Sequence, residues 1–529
     1  MTTEPNILMI MADQLAAQAL AVYGNSTSIT PNLDRLADKG TVFENCYSNY
    51  PLCVPSRASM LSGRLTPAIG VWDNGSELTS QQPTMAHHMR NAGYHTVLTG
   101  KMHFIGPDQM HGFDERRTTD VYPAEIEWVA DWTAGASFVP SATAMNGVVE
   151  AGSAIRTLQE DYDEEVGYNA EQAIFDLARR DDGCPWFQIA SFTSPHTPFV
   201  CAVDYWDRAG EPDLPRVGKI PFEDLDYFSK ALFFAHGRHR HRVTEDALRH
   251  ARRAYYGMII FIDDLVGRLV SALEKTGQDK NTVIVFTSDH GEMLGERGMW
   301  FKQSFFDWSA RVPLIMAGPG IPAGRQDEVV SLVDLLPTFA AIGSRTVNLP
   351  CDGVSLLPLL EGGTGRDVAI SDYSGIGPCV PARMVRQGQW KLIYTHGQPP
   401  LLFDMVEDPD ERTNLADDPA QGQVLARLLD ICLDGWDPDD IAMRVLESQS
   451  QRLFVKNTPG AKSDWAFRAR TNDGERYVRI GSGGVDGTKA AARLPRADVV
   501  APHFPPIEAE KIAAILNGNE PLPDYLRRA

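Results

Sequence analysis

Apolar runs of membrane length are missing from this chain of 529 residues. The longest candidate, at residues 259–262, stops at Asp263 and Asp264. The N-terminal stretch MTTEPNILMIMADQ does not read as a secretory leader, since it has no basic segment and only a short apolar run. The expectation is a cytoplasmic protein. Cysteines are few and scattered: Cys46, Cys53, Cys184, Cys201, Cys351, Cys379 and Cys432 are odd in number and contain no C-x-x-C pair. That excludes a disulfide framework and a cysteine-rich zinc site. Positive charge is in deficit, with 49 Lys and Arg against 70 Asp and Glu and a formal net charge of −21. Nucleic acid and anionic membranes are therefore poor partners, and any anion must bind in a local basic pocket within an acidic shell. No internal repeat is evident. A hydrophobic content of 43% and a charged content of 22% are those of a soluble globular protein. The length allows a large core and more than one structural unit.

What is present is a series of apolar runs of strand length that end in reactive side chains. Residues 6–12 form one such run and stop at Asp13 and Gln14. Residues 94–99 stop at Gly100, Lys101, Met102 and His103, where Lys101 and His103 share a face if the segment is extended. Residues 186–192 run into Thr193, Ser194, Pro195 and His196, and residues 282–287 into Ser288, Asp289 and His290. Continuous apolar runs suit parallel strands covered on both faces, and ligands of open α/β sheets sit beyond the carboxyl ends of such strands. Asp13 is equally suited to cap a helix, and Lys101 and His103 to a surface position.

Lys302 lies in a loop after the last of these strands, and Asn74 in the turn Trp72-Asp73-Asn74-Gly75. A helix is expected from Asp161 to Arg180, and a longer one from its Thr244 cap to Lys275. Residues 112–160 read as mostly irregular, with Trp128 and Trp132 suited either to a cation–π cage or to lid packing. The basic cluster at 236–242 reads as a solvated loop, because it lacks the carboxylate or cysteine company of a metal site.

The stretch that organises these parts is Cys53-Val54-Pro55-Ser56-Arg57. It reads as a loop entering a helix, with Pro55 in the first turn. A cysteine there faces free N–H groups and the positive end of the helix dipole, which favours the thiolate; a buried inert thiol is the plainer alternative. In a parallel sheet the four strand ends meet at one edge beside this cysteine. Asp13 and Asp289 supply hard oxygen ligands for Ca²⁺, Mg²⁺ or Mn²⁺, with His290 favouring Mn²⁺. Arg57, Lys101, His103, His196 and Lys302 can bind a tetrahedral anion and supply protons.

The motifs NILMIMADQ, NYPLCVPSRASMLSGR, VWDN, GYHTVLTGKMHFIGPDQMHGF, TTDVYPAEIEW, SFTSPHTP, FTSDHGEMLGERGMWFKQSFF and ARVPLIMAGPG sample most of the span from 6 to 320. They resemble the type I sulfatases of the alkaline phosphatase superfamily, within them the branch of choline sulfatases and phosphonate monoester hydrolases. The pairs Asp13-Gln14 and Asp289-His290 look like that branch. A second stretch, from Leu402 to Ala416, is similar to the family's C-terminal hairpin.

The resemblance implies an α/β fold with an alkaline-phosphatase-like, mixed but mostly parallel sheet flanked by helices over 1–365. A small C-terminal sheet subdomain follows at 366–440. A mostly irregular tail at 441–529 would serve subunit contacts and close the site of a homo-oligomer, dimeric or tetrameric. It implies that Cys53 is converted to formylglycine by a formylglycine-generating enzyme, and that its hydrate is the nucleophile and a metal ligand. Asp13, Gln14, Asp289 and His290 would hold one divalent metal, Ca²⁺, Mn²⁺ or Mg²⁺. Arg57 would stabilise the nucleophile, Lys101, His196 and Lys302 would bind sulfate oxygens and assist the leaving alcohol, and His103 would help release sulfate. Asn74 and Trp128 would contact the substrate. The implied activity is hydrolysis of a small organic sulfate ester, choline-sulfate-like or aryl. Phosphonate monoester or phosphodiester hydrolysis with the same nucleophile is the alternative, and a non-catalytic anion-binding protein the remote one.

Overall fold

The run Asn6–Ala12 (β1) is buried from Ile7 onward and lies inside an eight-stranded sheet. The structure, a computed structural model, describes residues 4–121, 129–137, 145–459, 493–495 and 500–527. Trp186–Ser191 (β6) and Thr282–Ser288 (β8) flank β1, both parallel to it. Beyond β6 come His95–Gly100 (β3) and the short edge strand Glu115–Arg116 (β4). Beyond β8 come Leu314–Ala317 (β9), Gly40–Tyr47 (β2) and Gly324–Ser331 (β10). Among the described residues, β9 is the one antiparallel member, so the sheet is mixed but mostly parallel. Gly152–Ala154 (β5) and Val200–Ala202 (β7) pair separately.

The alternation of β1 shows why its sequence is apolar throughout. Leu8, Ile10 and Ala12 join the core on one face, and Ile7, Met9 and Met11 join the core on the other. The first face is covered by Pro31–Asp38 (α1), Leu158–Ala178 (α3) and the long helix Glu245–Thr276 (α5). The second is covered by Cys53–Ser62 (α2) and Leu335–Ile342 (α6). Asp263, which interrupts the longest apolar run, is buried because it caps α1: its carboxylate accepts the backbone N–H groups of Asn32 and Leu33. Helix α3 starts three residues before the expected Asp161. Thr157 and Glu160 form a reciprocal capping box that fixes Leu158 as the first helical residue. Among the described residues no helix is long and apolar enough to cross a membrane.

The strands Val368–Tyr373, Ala382–Gln387, Trp390–Thr395 and Leu401–Asp404 (β11 to β14) form the expected small antiparallel sheet. Gly422–Leu433 (α7) packs on it through Leu428 and Cys432. The C-terminal tail is more regular than expected: Pro438–Asn457 (α8) is a 20-residue helix, and Ala509–Leu516 (α9) another. Asp437 caps α8 by accepting from Asp439 and Asp440, and Val445 and Ile441 anchor it. The parts of the tail expectation at 460–492, 496–499 and 528–529 lie outside the described residues.

The expected solvated loop at 236–242 is also corrected. It follows Tyr227–Ala235 (α4), and His236, Arg238 and His239 are buried. Helix α4 and the aromatic rings of Phe233, Phe234 and Phe301 cover the cluster. Sequence composition carries no signal of which basic residues such neighbours enclose.

The small sheet is tied to the large one by a buried ion cluster. Lys391 Nζ on β13 lies 2.8 Å from both Asp307 Oδ1 and Glu411 Oε1, and Tyr47 of β2 donates its hydroxyl to Asp307. Burial alone would lower the Lys391 pKa, but Asp307 and Glu411 raise it above the ordinary value. Lys391→Met leaves two buried carboxylates facing each other and should cost about 3–5 kcal/mol in urea unfolding; a loss under about 1 kcal/mol would contradict this role for the cluster.

Two buried histidines set a pH limit. Burial holds His236 down to about 3 and His111 down to about 4, from an ordinary 6.5. Between pH 6.5 and 4 the unfolded chain takes up protons that the folded chain refuses. Their stability contribution is therefore complete above pH 6.5 and is lost as pH falls, roughly 3 kcal/mol for each histidine. His236→Gln should reduce the drop in Tm between pH 7.5 and pH 5 relative to wild type. An unchanged drop would show that His236 does not titrate on unfolding.

Candidate active site

Strands β1, β3, β6 and β8 end in register: Gly100 and Met11 both stand opposite Ser191, and Ala12 stands opposite Ser288. The residues that follow are therefore delivered to one edge of the sheet. Strand β2 runs to the same edge and leads into α2, whose first residue is Cys53. Leu52 is extended, and its carbonyl accepts the Ser56 N–H, which starts the helix. Ser56 Oγ donates to the Asp289 carbonyl at 2.6 Å and meets Ser48 Oγ at 3.0 Å, so the first turn is pinned to the end of β8. Every residue of α2 is buried.

Two carboxylates meet beside Cys53. Arg57, one turn along α2, donates through Nε to Asp289 Oδ2 at 2.8 Å and through Nη2 to Asp13 Oδ2 at 3.1 Å. Its Nη1 donates to the Lys101 carbonyl and to Ser191 Oγ. Lys101 Nζ adds a second cation 2.5 Å from Asp13 Oδ2. Burial pushes the Asp13 carboxyl up, but Lys101, His196, Arg57 and His290 hold it well below the usual carboxylate range. His290 Nε2 is 3.2 Å from Cys53 Sγ and 3.7 to 3.9 Å from the two carboxylates. Its Nδ1 lies 3.1 Å from the Gly291 carbonyl, which can only accept; in the neutral ring the proton is on Nδ1 and the lone pair of Nε2 faces the cluster.

Ligand atoms of Asp13, Cys53, Asp289 and His290 all lie within 4.8 Å of one another and are buried. Two hard carboxylates and an oriented imidazole fit a divalent cation, and the Gly291 carbonyl supplies the outer contact that fixes such a ring. Gln14 is adjacent. Its N–H donates to Asp289 Oδ1 at 3.2 Å, its side-chain oxygen accepts from Lys302 Nζ, and its side-chain nitrogen donates to Glu292. It takes a left-handed φ of 68°, which a residue other than glycine adopts only when its surroundings impose it.

The opposite side of Cys53 is cationic. Burial and Asp13 push the thiol up, but Lys302, Lys101 and His290 outweigh them, and its pKa falls below the ordinary value. Lys302 Nζ is 2.7 Å from His196 Nε2, and His196 Nδ1 is 2.7 Å from the Thr197 carbonyl. His196 therefore carries its own proton on Nδ1 and accepts from Lys302. Asn74 Oδ1 accepts the Val54 N–H at 3.1 Å, placing its amide at the start of α2. His103 is buried just past Lys101 at φ 62°, its N–H donating to Asp120 Oδ2 at 2.6 Å. Trp128 lies outside the described residues.

Several supports were invisible in the sequence. Asp120 receives Arg116 at 3.2 Å as well as the His103 backbone. Asp163 of α3 accepts the N–H groups of Thr193 and Ser194, setting the turn before His196. Asp73 shapes the Asn74 turn through Gly75 and Ser76 and is gripped by Arg452 of α8 at 2.7 and 3.1 Å. These partners are 2 to 379 residues apart in the chain. Only the capping-type spacing within 73–76 could have been found locally.

The Sulfatase family model matches residues 5–343, and a model described as N-sulphoglucosamine sulphohydrolase, C-terminal, matches 295–433. The chain is similar to a choline-sulfatase of Rhizobium meliloti (strain 1021), with 39% identity over 94% of this chain and 100% of that one. An arylsulfatase of Clostridium perfringens (strain 13 / Type A) is 31% identical over 78% of this chain and 90% of its own. Among solved structures, the phosphonate monoester hydrolase of Agrobacterium radiobacter superposes with a TM-score of 0.64 at 26% identity, covering 85% of this chain and 96% of that one. With a matching family model over most of its length and a full-length relative at this identity, the chain belongs to the sulfatase family of sulfuric ester hydrolases.

Proposed function

We propose that the enzyme hydrolyses a small organic sulfate monoester at residue 53, with choline sulfate as the leading substrate. The observation that carries the reading is the joint burial of Cys53 with Asp13, Asp289 and His290 on one side and the Lys302–His196 pair on the other. Similarity to a choline-sulfatase along that protein's whole length supports the choice of alcohol.

A divalent cation held by Asp13, Asp289, His290 and residue 53, with Gln14 beside them, supplies Lewis-acid stabilisation of charge on oxygen when bound. Conversion of Cys53 to formylglycine by a modifying enzyme supplies an oxygen nucleophile in place of the thiol. Arg57 holds both carboxylates in fixed positions. Lys101 and Lys302 provide positive charge for the sulfate oxygens, inside a site from which water is largely excluded. Breaking the S–O bond leaves an alkoxide that needs a proton. Lys302 is the donor, its proton leaves with the alcohol, and His196, whose Nε2 is 2.7 Å from Lys302 Nζ, relays a proton from solvent to restore it. His103 takes the proton whose removal frees inorganic sulfate and restores residue 53. Asn74 orients the ester against the first turn of α2.

The second reading, phosphonate monoester hydrolysis, has support from the fold match to a phosphonate monoester hydrolase. Measuring kcat/KM for choline sulfate, 4-nitrophenyl sulfate and a phenylphosphonate monoester separates the two, because the ratios report transition-state binding of each leaving group. Choline sulfate should lead by at least about 10²-fold; a lead for the phosphonate would replace the proposal. Cys53→Ala should reduce all three activities to background, and full activity in that variant would remove residue 53 from the mechanism.

Proton delivery has its own test. Lys302→Ala should reduce kcat for choline sulfate by about 10²–10⁴-fold. For 4-nitrophenyl sulfate, whose leaving group departs as a stable anion, the loss should be much smaller. Equal losses for both substrates would mean that Lys302 binds the sulfate without protonating the alcohol.

A further inference from the structure

Behind the loop that carries Lys302 lies a second cavity, of about 420 Å³, which shares no lining residue with the site above. Its walls come from the turn after α4, the start of α5, the segment Gly295 to Trp300 and the C-terminal residues Phe504 and Leu526. Phe233, Val243, Leu248, Trp300, Phe504 and Leu526 make most of it apolar. Its polar lining is cationic at Arg238 and Lys219, with His241, which burial lowers to about 4, as a neutral imidazole; the one acid, Glu245, is already paired to Arg249.

Arg238 is the informative residue. It is 8% exposed, and its Nη1 is buried with no hydrogen-bond partner. Its guanidinium lies over the face of Phe233, 5.1 Å from the ring centroid. No carboxylate among the described residues offsets its charge, and burial lowers its pKa to about 10. Lys219 is likewise held below its ordinary value by burial and by Arg238 and Arg242. A guanidinium buried without an acceptor costs stability. Here it costs it at the wall of a cavity of ligand size, beside the N-terminus of a 32-residue helix whose dipole adds further positive potential.

We propose that this cavity is a binding site for a small amphiphilic organic anion. The carboxylate, sulfonate or similar group accepts from Arg238, with Lys219 and His241 alongside, and the apolar body lies against Phe233, Leu248, Trp300 and Phe504. The site reaches the catalytic loop through its wall. Trp300 is two residues from Lys302, and His236, two residues before Arg238, is hydrogen-bonded to Gln303. An occupant therefore packs against the backbone that positions Lys302. The proposal does not depend on the hydrolytic chemistry, since binding can be read without turnover.

The test is isothermal titration calorimetry of the full chain with 1-naphthalenesulfonate, which has an anionic head, a flat apolar body and no ester to cleave. Saturable binding should weaken at least tenfold in Arg238→Met and stay within twofold of wild type in Lys302→Met. The neutral analogue 1-naphthol should bind wild type at least tenfold more weakly than the sulfonate. Val243→Phe, which fills the cavity and keeps its charges, should abolish binding and decides the matter if Arg238→Met does not fold. The proposal is overturned by absence of binding to wild type, by wild-type affinity in either Arg238→Met or Val243→Phe, or by loss of binding in Lys302→Met, which would place the ligand in the catalytic site.

Discussion

One guanidinium holds the active edge of this protein together. Arg57 donates to Asp13 after β1, to Asp289 after β8, to the carbonyl of Lys101 after β3 and to Ser191 at the end of β6. The two carboxylates are buried side by side and repel each other, and burial raises the cost of each. A planar fork with donors in fixed directions can bridge them; a lysine at the same place would reach one. Because Arg57 sits one turn after Cys53 on α2, the same contacts fix residue 53 relative to four strand ends. The position of residue 53 and the tolerance for paired acids thus have one physical origin.

This explains which parts of the site were legible in the sequence. Strand ends were readable because a run buried on both faces must be apolar until it leaves the sheet, and the first polar residue marks the exit. Asp13, Lys101, His196 and Asp289 stand at those exits, and parallel topology brings them together. The helix at Cys53 was readable from Pro55 and the small residues after it. Gln14 and His103 were nameable, but their left-handed backbone was not, since nothing in their side chains requires it. The supports Asp120, Asp163 and Asp73 look like ordinary acids in the chain. Their function lies in backbone N–H groups or an arginine brought near by folding, which no local pattern encodes. The cluster at 236–242 misled for the reverse reason: its charge pointed to solvent, whereas α4 and the 301 loop enclose half of it.

The C-terminal portion does more than extend the chain. Lys391 anchors the small sheet to Asp307, which opens a short helix five residues after Lys302, and Tyr47 of β2 joins the same cluster. Arg452 of α8 reaches Asp73 and so holds the turn that presents Asn74. Trp132 donates its N–H to Gln449 of the same helix. The catalytic edge is therefore built by the large sheet and buttressed from the far end of the sequence. Side chains on strand ends receive their precision from the sheet, whereas the loops around them receive theirs from these distant contacts.

The remaining question is how a chain of net charge −21 receives an anion. At physiological ionic strength the repulsion from surface carboxylates is screened over roughly 8 Å, whereas charges inside a buried pocket are not. Within the pocket Arg57, Lys101 and Lys302 face Asp13 and Asp289, three positive charges against two negative ones. Glu292 is pushed up to about 7 by burial, so near neutral pH it carries only part of a charge. A bound divalent cation would add two more positive charges. The acidic surface then acts on the rate at which sulfate esters arrive, and the pocket acts on whether they stay. That division lets the exterior serve solubility while affinity is decided by a handful of charges gathered at one edge of the sheet.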